Sequence, residues 1–239
     1  MSAPRSYKRL LEIGGLSGLL TGIAFLPVVG VGGNNPEPGI FTSGTTSSHQ
    51  TMAQFLAQFS QNLAPLSEMV GLTVIMLAFI PLFLALYVLL RDTNPTSALI
   101  GGVFGVVWAV STIMFLIMRY WTLSTSAFLY SSAAPADQAA VVAAAEATFY
   151  SVYGLFYVGG IFGSIAFIAT GIAMFGATPF RRGYAWMAVA FGLLYAVSMV
   201  DIAASSQTVS NPFFVVLLIV FLGWSIVIGQ KLFRLSRTM

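Results

Sequence analysis

Few side chains in this sequence can do chemistry. Seven carboxylates, ten Lys and Arg residues and the single His49 make up its charged and imidazole groups, and Cys is absent. One histidine in a polar stretch, GTTSSHQT, cannot build a triad or a multi-histidine metal or haem site, and without cysteine there is no Fe–S cluster, thiol chemistry or disulfide framework. P-loop, HExxH and GxSxG patterns are likewise missing. No enzyme, metal or cofactor chemistry is expected, and His49 reads as an exposed polar residue. What remains is electrostatic. Arg119, in MFLIMRYWTLS (114–124), ends one of the most apolar stretches of the chain, and Glu68, Glu146 and Asp201 are acids that sit near the ends of other apolar stretches.

The elements that position these charges are membrane spans. With 58% hydrophobic residues, 7% charged residues and a mean hydropathy of +0.90, the composition lies far from the roughly 25% charge of soluble domains. Six apolar runs reach the length of a helical crossing, at about 13–33, 69–90, 97–118, 150–176, 184–204 and 212–233. The runs are continuous and do not alternate, so helices are predicted and a barrel is not. The expected fold is therefore all-α: a single polytopic domain over residues 1–239 with six transmembrane helices. The first run follows the basic segment MSAPRSYKR, but it is long for a signal sequence and no A-x-A site follows, so it reads as a retained span.

Charge placement orients the spans. Arg5, Lys8, Arg9, Arg91, Arg181, Arg182, Lys231, Arg234 and Arg237 fall on one side of the predicted bundle and Arg119 alone on the other. The positive-inside rule then puts both termini in the cytoplasm. The sequence pI near 9.3 reflects this topology and contact with anionic lipid, and a nucleic acid partner is not expected. Counting from Pro95, Arg119 lies 24 residues along its span, roughly 36 Å at the helical rise. Asp201 and Glu68 come to the same outer level, so an ion pair of Arg119 with either is geometrically possible. At that depth arginine snorkels to water, and an exposed pair contributes only about 0 to 1 kcal/mol.

Two longer segments separate the spans on the outer side. In the first, Met52, Phe55, Leu56, Phe59 and Leu63 share one face at helical spacing, predicting an amphipathic helix on the outer leaflet or over the bundle, with Thr46, Ser47 or Ser48 as its cap. The second, at 119–149, is expected to become helical from about Ala136, after Pro135, and to run on into the fourth span. Phe149, Tyr150, Tyr153, Phe156 and Tyr157 then read as interfacial belt residues. Within the spans, Gly14, Gly18 and Gly22, Gly101 and Gly105, and Gly159 and Gly163 recur at GxxxG spacing, which lets helices approach closely within the bundle or against another subunit. Pro27 and Pro81 are expected to end or kink their helices. Ser111, Thr112, Ser164, Thr170 and Ser198 either line a narrow polar path or satisfy themselves in interhelical hydrogen bonds.

With the spans placed, MAQFLAQFSQNLAPLSEMVGLTVIMLAFIPLFLALYVLLRDTNPTSALIGGVFGVVWAV resembles a bacterial family of six-span membrane proteins known only as a domain of unknown function. An external helix there leads into a span ending in an "aLY.llr" pattern, a short loop and an Ala-rich third span. FRRGYAWMAVAFGLLYAV is similar to the family's basic turn and fifth span, and YKRLLEIGGLSGLL to its opening. The chain departs from the pattern at Gly102 to Val107, which are uncharged where the family commonly carries an arginine. The resemblance implies a membrane fold and supplies neither an activity nor site residues. The sequence thus reads as a non-catalytic accessory or assembly subunit, with lipid, other membrane subunits or a second copy as partners. The alternative is a small transporter or sensor with an external vestibule lined by Glu68, Arg119, Glu146 and Asp201.

Overall fold

A computed structural model describes residues 5–32, 52–59, 64–203 and 211–238, with side chains over 6–25, 52–59, 65–200 and 216–238. Seven helices account for the regular structure of the described residues: α1 (Arg5–Gly32), α2 (Met52–Phe59), α3 (Ala64–Leu90), α4 (Pro95–Ser132), α5 (Gln138–Met174), α6 (Arg182–Ala203) and α7 (Asn211–Thr238). Five of them are long and apolar enough to cross a membrane, namely α3, α4, α5, α6 and the part of α7 from Val216. The predicted first span falls within α1 and extends beyond the described side chains, as do His49, Leu63 and the three predicted caps of α2.

Local sequence explains both ends of α4. α4 starts where Asn94 accepts the Ser97 backbone N–H at 3.1 Å and Pro95 occupies the first turn, where its missing donor costs nothing. It does not stop at the predicted span end. Residues 119–132, RYWTLSTSAFLYSS, hold neither glycine nor proline, and the Ser132 hydroxyl folds back on the Phe128 carbonyl at 2.9 Å, so the helix continues to Ser132. The expected outer loop is therefore mostly helix. Ala133 to Asp137 turn the chain, the Gln138 side-chain amide bonds to the Tyr130 carbonyl at 3.4 Å across the turn, and α5 returns antiparallel. α4 has 38 residues and α5 has 37, about 57 and 55 Å at the helical rise, against a hydrocarbon core of about 30 Å. Pro27 and Pro81 end neither helix: α1 and α3 run through them to Gly32 and Leu90.

The long helices form a ring. α1 packs between α3 and α7, α3 against α4, α4 against α5 and α5 against α6, while α6 and α7 meet more lightly. One end of the ring gathers the basic segments. Burial and the neighbouring Asp92 hold the Tyr7 hydroxyl above the usual phenol range, which places the start of α1 beside the α3–α4 turn. Thr93 of that turn lies within 3.1 Å of where a Gly176 Cβ would stand, at the α5–α6 turn. The middle of the ring is filled by rings. Phe167 of α5 meets Phe191 of α6 at 4.5 Å, Trp224 of α7 at 5.0 Å and Phe83 of α3 at 5.4 Å, mostly edge to face, and Phe79 meets Trp108 of α4 at 4.9 Å. These side chains are buried.

Candidate functional site

The glycines build the scaffold first. A Cβ on Gly18 would stand 2.9 Å from the Gly229 Cα, and one on Gly15 would stand 2.6 Å from the Phe233 backbone nitrogen, so α1 and α7 touch backbone to backbone. Gly22 also faces α7, through Ile226, whereas Gly14 faces Ala85 of α3. Gly101 abuts Thr170, Gly105 the Phe83 ring, Gly159 Ser111 and Gly163 Trp108. All seven predicted glycines thus meet neighbours inside this chain, and the row on α1 divides between two helices. Gly15 and Gly229, whose added Cβ atoms would each stand 2.6 Å from a backbone nitrogen of the facing helix, lie outside the predicted rows, because G-x-x-x-G spacing is blind to a lone glycine. Three residues of the predicted polar path bond within their own helices. Thr112, Ser164 and Ser198 donate to carbonyls of their own helices at 2.9, 2.9 and 2.8 Å, which satisfies them locally and not between helices as expected.

Arg119 sits where α2, α3, α4 and α5 meet at the other end. Its guanidinium reaches the Glu68 carboxylate at 3.6 Å, with side-chain exposures of 11% and 18%. The Arg91–Asp92 pair is a useful measure, at 3.8 Å and 50% and 89% exposed. Tyr153 of α5, buried against Phe149 at 4.7 Å and Phe115 at 5.1 Å, lies within electrostatic reach of both Arg119 and Glu68. The expected exposed pair is therefore corrected. α4 continues for 13 residues past Arg119, and α2 covers the site.

The cover follows from the amphipathic pattern. Met52, Phe55, Leu56 and Phe59 are all buried, and α2 lies on α4 and α5, the bundle alternative of the two placements predicted for it. Phe59 packs on Tyr120 at 6.0 Å, beside the arginine. A cavity of about 10 Å³ remains between Phe59, Pro65, Met69, Leu116, Arg119, Tyr120 and Leu123, room for one water. Glu146 is exposed on α5 away from this enclosure, and the Asp201 side chain lies outside the described residues.

Two residues of this site depart from the expected interfacial belt. Phe149 and Tyr153, expected in that belt, are buried, while Tyr150 is 60% exposed. The signal lay in phase: 149, 153 and 156 follow the spacing of an inward face, and 150 falls off it. Among the described residues, the cluster holds a paired charge within a hydrophobic enclosure and joins four helices around it. No curated protein and no solved structure matches this chain. A family model does, over residues 36–229, from ahead of α2 into α7, so the chain belongs to the family described as Domain of unknown function (DUF4386).

Proposed function

We propose that the protein is a six-span, non-catalytic accessory or assembly subunit of a prokaryotic cytoplasmic membrane, acting through contacts made by its α4–α5 hairpin. The carrying observation is the length of that hairpin. Both arms exceed a bilayer core by about 25 Å, while the bundle axis is filled by aromatic rings. A surface built beyond the membrane over a closed interior suits a role in association better than one in transport. The packing of α1 between α3 and α7 supports its counting as the sixth crossing, and the basic end supports cytoplasmic termini. In this orientation the hairpin and α2 stand on the outer side. Phe128 and Trp121, 69% and 64% exposed, supply its apolar contact points.

The test is purification from the native membrane in mild detergent, comparing the wild-type chain with Trp121→Ser/Phe128→Ser. A stoichiometric partner retained by the wild type and lost from the folded variant supports the proposal. A chain that purifies alone and is stabilised by a small solute overturns it in favour of a transporter or sensor.

A further inference from the structure

The outward face of α1 and α7 combines two features that the foregoing site does not use. Along α1, Arg9, Ile13, Leu16, Leu20 and Ile23 recur at alternating four- and three-residue steps and are all exposed. At 100° per residue they occupy a stripe about 80° wide, headed by the arginine. From Ile13 to Ile23 the stripe rises about 15 Å, the depth of one leaflet of a 30 Å core. Side chains on a helix lean towards its N-terminus, so Arg9 reaches away from the apolar stripe, past its end.

α7 repeats the arrangement in the opposite direction. Val216 and Ile219 are exposed along it, and Arg234 and Arg237 are exposed near its end. The contacts of Gly15 and Gly18 with Phe233 and Gly229 bring those arginines to the same end as Lys8 and Arg9. The Arg237 guanidinium lies 4.5 Å over the Phe233 ring, which holds it at this level. Glu12 is the acid on this part of α1.

We propose that this face is a binding site for an anionic phospholipid. Lys8, Arg9, Arg234 and Arg237 hold the headgroup phosphate, and an acyl chain lies along Ile13, Leu16, Leu20 and Ile23. Arginine matches phosphate oxygens with two parallel N–H donors. The site is defined by where cations meet an apolar stripe, so it requires residence in a bilayer and is independent of the association role proposed above.

The experiment uses the full chain in micelles containing equal phosphatidylglycerol and phosphatidylcholine, with bound lipid counted by native mass spectrometry. Wild type is expected to retain phosphatidylglycerol over phosphatidylcholine by about tenfold, given the contribution of each basic residue near an anionic surface. Arg9→Gln/Arg234→Gln/Arg237→Gln is expected to abolish that preference, and Arg181→Gln/Arg182→Gln to keep it. Lys8→Gln/Arg9→Gln, confined to two exposed residues at a helix start, provides the same reading, a several-fold loss, if the triple variant does not fold. Equal retention of both lipids by wild type overturns the proposal, as does loss of preference only in the Arg181/Arg182 variant. Displacement of the lipid by inorganic phosphate also overturns it, since that result describes a free-anion site.

Discussion

The two ends of this bundle treat positive charge in opposite ways. At one end Lys8, Arg9, Arg91, Arg181, Arg182, Arg234 and Arg237 are all exposed, and the ion pair described there, Arg91 with Asp92, is solvated. At the other, Arg119 is enclosed with Glu68 beneath α2. Many exposed charges act collectively, through the field they create and the interface they sit in, and any one of them is dispensable to packing. A single enclosed charge acts locally, and removing its partner leaves it stranded in a medium that solvates it poorly. The contrast teaches that the count of charges at an end reveals little about their structural weight.

Substitutions can break this contrast, beginning with the most damaging. Arg119→Ala leaves Glu68 in the enclosure without its cation and is expected to cost about 3 kcal/mol, the lower part of the range for broken buried pairs. Denaturant-induced unfolding of the whole chain in micelles measures it, and a loss under about 1 kcal/mol would return Arg119 to the class of surface anchors. Phe59→Ala is expected to cost about 2 kcal/mol, less than a deep core phenylalanine because the side chain borders a cavity. The same assay should then find Arg119 more accessible to an arginine-modifying reagent; unchanged reactivity would show that α2 is not the cover. Replacing both charges, as Arg119→Met/Glu68→Leu, should recover about 2 kcal/mol of the single-variant loss, since no charge is left stranded. Strictly additive losses would dissolve the pair. The smallest effect is expected at the other end, where Arg91→Gln should shift stability by no more than about 0.5 kcal/mol.

Legibility in the sequence followed the physics of each feature. Apolar runs are set by membrane thickness, so α3 to α7 were visible as segments. The face of α2 was equally visible, because Met52, Phe55, Leu56 and Phe59 are apolar among glutamines. Depth counting brought Glu68 and Arg119 to one level. It did not predict their enclosure, which depends on a helix continuing into residues that composition marks as polar. The uninterrupted stretch from Arg119 to Ala134, free of glycine and proline, was the only available sign. The aromatic centre left no trace at all. In a span apolar on every side, nothing distinguishes Phe83, which faces the axis, from Leu84, which is exposed. The glycine rows showed that helices approach one another, while the identity of each neighbour belongs to the tertiary fold.

The backbone contact between Gly18 and Gly229 joins the first helix of the ring to the last. Synthesis therefore delivers the two halves of this contact more than 200 residues apart, and the glycine face of α1 lacks this partner until α7 emerges. Closure of the ring is a late event of high contact order, open to interception by a chaperone or a foreign helix. A chain cut short before α7 would leave the glycine face of α1 without this partner.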